Sequence, residues 1–219
     1  MVLLDNIYDW VLIVSCTLGF IYFLINRPFT YLHTLPFFIL YIYSIEYYGG
    51  YLSNIGKYNL WLYNYSSVVE FVFYMWVVGK MYLQKKTTAT INIIAIIYTI
   101  VALVNIIFFQ GKTGFHTLTF GLGSLLLISS CIYYFYQLLL FPEKDSLLQK
   151  IEFWICTAIL FSFTCSFPIF CLNNIYYHKV AMAIWPIIFN ISNIINIIFY
   201  SLFAVAFLCQ IKIKKYLPL

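Results

Sequence analysis

Seven apolar segments, near residues 8–26, 33–51, 59–79, 89–110, 117–141, 152–174 and 181–209, fill almost all of this 219-residue chain and leave only short connections between them. A helix needs about 20 consecutive apolar residues to cross a hydrocarbon core of roughly 30 Å, and each of these runs is close to that length or longer. The runs are continuously apolar and lack the period-2 alternation of a barrel strand. They therefore predict an all-α membrane protein, a seven-transmembrane-helix bundle forming a single transmembrane domain over residues 1–219. Charged residues make up 9% of the chain and the mean hydropathy is +0.93. A soluble globule, at about 25% charged, is excluded. The seventh run is longer than one crossing requires, which allows tilt or an amphipathic extension.

The basic residues orient the bundle. Arg27, Lys80, Lys85, Lys86, Lys144, Lys150, Lys212, Lys214 and Lys215 fall on one side of the predicted spans, and Lys57, Lys112 and Lys179 on the other. By the positive-inside rule, this split of nine against three predicts an N-terminus outside and a C-terminus in the cytoplasm. The expected location is an inner (cytoplasmic) membrane, crossed several times. The opening MVLLDNIYDW carries Asp5 and Asp9 and no basic residue, so it does not read as a cleaved signal peptide, and the first span is expected to be retained. A net charge of +5 then reflects anchoring to anionic headgroups of the lipid bilayer, and no extended basic patch points to nucleic acid.

One ionisable residue falls near the middle of a span. Glu70 lies in YNYSSVVEFVFYMW, and residues three or four positions apart share a helix face, so Ser67, Ser66, Tyr63 and Tyr74 form a polar stripe with it. An acid at that depth costs about 2.5 to 3.5 kcal/mol on insertion scales and should face the bundle interior. No Lys, Arg or His occurs at comparable depth in another span. Glu70 is therefore expected to be protonated, or to be met by a cation, a ligand amine or hydrogen bonds.

Further polar positions fall in the same outer half. Glu46 follows Tyr43 by one turn in YIYSIEYYGG, and Asn190, Asn193 and Asn196 recur every three residues on one face of the seventh span, extended by Tyr200. The sixth span adds Ser162, Cys165, Ser166 and Asn173 around Pro168, where a helix loses a backbone hydrogen bond. Together these predict an outward-facing polar pocket lined by the second, third, sixth and seventh spans. The same Asn and Ser residues also serve as interhelical hydrogen-bonding groups worth about 0.6 kcal/mol each, and that alternative stays open. Tyr47, Tyr48, Tyr51, Tyr58, Trp61, Tyr63 and Tyr65 fit an interfacial aromatic belt, with an aromatic cage beside Glu46 or Glu70 as the alternative.

Cofactor and metal chemistry find little support. The six cysteines lie inside spans or at their ends with no C-x-x-C pair and read as small packing residues. His33 starts the second span, whereas His116 and His178 fall in different outer loops. An outer metal site joining those two to Asp5 or Asp9 has no ligand spacing behind it, and no cofactor is expected. Gly121 and Gly123 read as close helix packing.

The runs NLWLYNYSSVVEFVFY, GFHTLTFGLGSLLLISSCIYYFYQLL, EFWICTAILFSF and INIIFYSLFAVAFLC resemble uncharacterised small seven-helix integral membrane proteins of Bacteroidetes-type bacteria. The resemblance covers most of the chain. It implies that Trp61, Tyr63, Asn64, Glu70, Phe71, Phe115, His116, Thr117 and Trp154 belong to recurring patterns. It also implies an association with sensor kinases and response regulators, and hence a signalling partner.

Catalysis is not expected. Acyl transfer or intramembrane proteolysis wants a Ser or Cys beside a His or Lys, or two membrane-depth Asp residues, and the sequence offers no such set. Lipid phosphate chemistry wants clustered cations, and Arg27 is the only arginine. A Schiff-base lysine in the seventh span is absent. Three functions remain: a ligand-sensing or accessory signalling module, a small proton- or cation-coupled permease or channel, and a structural subunit of an envelope complex. Against the permease, the sequence shows no paired Gly/Pro-broken segments.

Overall fold

The computed structural model describes residues 2–110, 114–141, 146–177 and 181–216. Lys112, Lys144, Lys179 and His178 lie outside them, as do the side chains of Asp5, Asn173, Lys212, Lys214 and Lys215. The described residues form seven α-helices and no strand: α1 (Val2–Ile25), α2 (Leu35–Asn54), α3 (Leu60–Met81), α4 (Lys85–Val104), α5 (Thr117–Leu140), α6 (Ile151–Tyr177) and α7 (Ala181–Tyr216).

Helix ends follow local chemistry. Pro36 sits in the first turn of α2, where its missing N–H costs nothing. Gly56 (φ 68°) closes that helix, with the Lys57 N–H donating to the Leu52 carbonyl at 2.9 Å and the Gly56 N–H to Ser53 at 3.0 Å. A positive φ there is what makes glycine the suitable residue. Between α1 and α2, buried His33 donates from Nε2 to the Asn26 carbonyl (2.9 Å) and accepts from the Thr30 N–H at Nδ1 (2.9 Å). Helices overrun the predicted spans at several ends, α1 starting at Val2 and α7 reaching Tyr216, because backbone bonding continues past the last apolar residue. The predicted fourth span instead changes character: α4 stops at Val104 and a π-helical turn covers Asn105–Phe109.

Helices α1, α2, α3, α5, α6 and α7 close a ring in which α1 packs on α7, and α4 leans on α3 and α5 from outside. Gly79 of α3 admits α4, since a Cβ there would collide with Ile91. The core runs through Phe71, Tyr74, Met75, Leu127, Ile159, Phe203 and Phe207, each at most 1% exposed. Aromatic rings dominate it: Tyr74 meets Phe38, Phe163, Phe199 and Phe203, and Phe38 stacks on Phe73 at 3.7 Å. The outer surface is equally apolar, with Ile96, Phe109, Leu118 and Leu139 all more than 60% exposed. Patches of that extent are poorly tolerated by water and suit lipid.

Among the described residues, five segments are long and apolar enough to cross a membrane: Asn6–Ile25, Lys85–Phe109, Thr117–Leu140, Ile151–Cys171 and Pro186–Ile211. Helices α2 and α3 fall short in hydropathy because Tyr, Ser, Asn, Gly and Glu interrupt their apolar residues. In α3 the interruption faces protein. Asn64, Ser66 and Ser67 are buried together with Phe71, Tyr74, Met75, Val77 and Val78.

Candidate functional site

Glu70 faces inward from the middle of α3, half-buried by exposed area although densely surrounded by protein atoms. It makes no hydrogen bond or ion pair with any described residue. Within electrostatic reach lie Glu46 of α2 and the phenols of Tyr8 (α1), Tyr74 (α3), Tyr98 (α4) and Tyr200 (α7). Glu46 has the same character, half-buried but surrounded, and accepts a hydrogen bond from Tyr63 Oη at 3.3 Å. Tyr63 reaches it by lying against Gly49, where a Cβ would collide with the phenol. Two carboxyls and several phenols thus share one interior region, and no described basic side chain neutralises either acid.

The predicted stripe on α3 divides around Glu70. Ser66 turns toward α2 and accepts from Tyr41 Oη at 3.4 Å, whereas Ser67 turns toward α5. Tyr74, a turn deeper, is fully buried and its Oη has no hydrogen-bond partner. Side chains on a helix lean toward its N-terminus, so Tyr74 rises toward the level of Glu70. Tyr43 is half-buried. On α7, Asn193 is buried, Asn190 and Asn196 are half-buried, and the buried Oδ1 of Asn190 has no partner. Tyr200 continues that face and packs on Tyr8, ring centroids 6.1 Å apart. Tyr8 and Tyr98 bring α1 and α4 to the region, neither of which the sequence pattern places there. Their signal is weak, because a single Tyr in an apolar run reads equally well as core or aromatic belt.

A second polar cluster corrects one expectation. His116 lies in the connection before α5, as that helix's N-cap, and is fully buried there, with Ser67 Oγ 2.6 Å from its Nε2. A Ser beside a His therefore does exist, joined across 49 positions by tertiary packing that no local motif announces. Ser67 Oγ also lies 3.0 Å from the Asn64 carbonyl, and Thr119 Oγ1 lies 2.9 Å from Nδ1 and 3.3 Å from the His116 carbonyl, so each ring nitrogen pairs with one hydroxyl. Both ring nitrogens are engaged, which leaves His116 unavailable to the outer metal site considered from sequence. Desolvation pushes its imidazole down to about 4, so it is neutral at physiological pH.

Around it Asn64 Nδ2 donates to the Gly114 carbonyl (2.9 Å), and Asn105 Nδ2 donates to Thr119 Oγ1 (3.0 Å) and Gln110 Oε1 (2.6 Å). Gln110 in turn donates to Thr117 Oγ1 (3.0 Å) and accepts from the Leu118 N–H (3.3 Å). These bonds satisfy donors at the start of α5 that an uncapped helix end would leave open. They also tie the π-helical turn to α3 and α5.

Outside the ring, a groove of about 350 Å³ runs between α5 and α6, lined by Leu118, Gly121, Leu122, Leu125, Phe167 and Cys171. Its apolar walls are continuous with the outer surface and carry no titratable group beyond the Cys171 thiol. Among the described residues no three His, Cys, Asp or Glu side chains gather as metal ligands. Comparison with protein-family models, with curated proteins and with solved structures finds no match to this chain.

Proposed function

We propose that this chain is a non-enzymatic protein of the bacterial inner membrane, a ligand-sensing or accessory signalling module whose outward-facing pocket surrounds Glu70. The observation that carries the reading is a half-buried carboxyl inside a helix bundle with no described partner, beside a second acid and an unbonded phenol. Intramembrane ionisable groups are costly, and holding one without neutralisation serves a ligand better than it serves packing. In this reading all seven helices cross the bilayer, with the N-terminus outside. Helices α2 and α3, the two of lower hydropathy, are consecutive. The remaining five therefore alternate in the same sense whether or not that pair crosses, and the excess of nine basic residues stays cytoplasmic.

The non-enzymatic part rests on the bonding of Ser67. The hydroxyl is shared between His116 Nε2 and the Asn64 carbonyl, and the other ring nitrogen meets Thr119 rather than a carboxylate, so the pair lacks the third member that orients a catalytic base. Output then passes to a cytoplasmic or membrane partner such as a sensor kinase, the association that the sequence resemblance implies. Affinity capture from cross-linked native membranes tests this: reproducible recovery of a signalling protein is expected, and capture of none overturns the reading.

The permease or channel reading is favoured by one feature. Neighbouring helices α6 and α7 each contain an internal proline, Pro168 and Pro186, where freed carbonyls can line a path. Cation or proton flux in proteoliposomes that Glu70→Gln abolishes would support it, and absence of flux from the wild-type protein would eliminate it.

A further inference from the structure

The groove between α5 and α6 owes its shape to a missing side chain. Leu118, Leu122 and Leu125 share one face of α5 at successive turns, and Phe167 and Cys171 stand one turn apart on α6. Gly121 lies between these walls. A Cβ there would come 2.7 Å from Cys171 Sγ and 3.6 Å from the Phe167 ring, so the two helices close on each other at the floor of a trough whose leucine wall stays exposed. The trough begins at Thr117 and Cys171, the first residue of one membrane-length segment and the last residue of the next. From Thr117 to Leu125 it follows α5 for about 12 Å. Half of a hydrocarbon core is roughly 15 Å, so the trough runs from the polar boundary nearly to the midplane and spans one leaflet.

We propose that this trough seats one acyl chain of a phospholipid, drawn from the leaflet that meets the connection between α4 and α5. Water does not suit the space. A buried water needs about two to four polar partners, whereas the polar lining groups are the Thr117 hydroxyl, already bonded to Gln110, and the Cys171 thiol. A helix does not suit it either. At about 10 Å across, a helix 12 Å long fills roughly 900 Å³. The trough holds about 350 Å³, so a docked helix would rest on the leucines and leave the floor uncovered. An acyl chain is narrow, flexible and already in contact with these walls, because the trough opens onto the lipid-facing surface. Lodged there, it makes carbon contacts with both walls that a gap would forfeit. None of the described lining residues is a cation that would hold the carboxylate of a free fatty acid. A phospholipid needs only its chain to enter and keeps its headgroup at the boundary. The seat lies outside the helix ring and stands independently of the role of Glu70.

Photo-cross-linking of the full chain in lipid nanodiscs tests the proposal, with a phosphatidylcholine carrying a diazirine partway along one chain and palmitic acid carrying the same group as separate probes. Label from the phospholipid should concentrate on Leu122, Leu125 and Phe167 by roughly three- to tenfold over Ile96 and Ile100, which face outward from α4, the scale expected of a few added carbon contacts. Leu125→Trp fills the trough and should bring that label down to the α4 level. Leu122→Trp repeats the test from the neighbouring turn, and melting temperatures establish that each variant is folded. Equal labelling of the two faces would mean bulk lipid only and would overturn the proposal, as would labelling unchanged in both variants. Enrichment by palmitic acid alone would overturn the phospholipid as its occupant. A dimer in native mass spectrometry whose trough takes no label would assign the face to a second copy and overturn it as well.

Discussion

His116 gives the bundle a stability that depends on pH. Its imidazole is neutral and fully buried, with a folded-state value near 4 against an ordinary value of 6.5. The unfolded chain therefore binds a proton that the folded chain refuses, and between those two values stability falls as pH falls. The contribution is fully present above about pH 6.5, shrinks by about 1.4 kcal/mol for each unit of acidification, and is exhausted near pH 4. The whole effect is about 3 kcal/mol, comparable with a large fraction of the stability of many domains. Replacing His116 with Gln keeps a hydrogen-bonding side chain beside Ser67 and removes the titration. Unfolding by SDS in detergent micelles, followed by far-UV circular dichroism between pH 7.5 and 4.5, compares the two proteins. The wild type should lose about 2 kcal/mol more than His116→Gln between pH 6.5 and 5.0. Acids elsewhere titrate in both proteins and cancel in the difference. Parallel loss of stability in the two would refute the claim that a buried neutral imidazole sets this dependence.

Two further substitutions probe packing. A Cβ at Gly121 would approach Cys171 Sγ to 2.7 Å, so Gly121→Ala should destabilise by about 1 to 3 kcal/mol despite the helix propensity gained. In a Cys171→Ala background the same change should become neutral or stabilising, and additivity of the two in thermal melts would contradict the close approach of α5 and α6. Tyr98 is 1% exposed and its Oη has no partner, so Tyr98→Phe should leave melting unchanged or raise stability by about 1 kcal/mol. A clear loss would mean that the phenol is bonded in the folded protein.

The helices are legible because lipid removes every competing way to satisfy a backbone, so an apolar run of sufficient length has one outcome. Legibility is poorest for α2 and α3, whose Tyr, Glu and Asn residues make sense only once α3 is seen to be buried on most sides. The inward placement of Glu70 follows from cost alone. Its neighbours Tyr8 and Tyr98 do not, since ring closure between α1 and α7 and the docking of α4 are not local properties. The His116 network has a visible signal that points the wrong way. Asn105, Gln110, His116, Thr117 and Thr119 crowd around one connection, and polarity at such a place reads as exposure to water. In the structure those groups bond to one another and to Asn64 and Ser67, and the π-helical turn that brings Asn105 into line has no sequence signature.

The pairing of α1 with α7 bears on how such a chain is made. Gly19 lets Phe207 approach, its absent Cβ lying 3.0 Å from the ring, while Tyr22 meets Phe207 at 5.6 Å. During synthesis α1 enters the membrane long before α7 exists, and until then its inward face, with Tyr8, Leu12 and Ser15, has only α2 for company. The seam between α1 and α7 therefore closes only once α7 has been made. A chain stalled before α7 would lack the partner of that inward face, and of α6 as well, leaving both helices unpaired along one side.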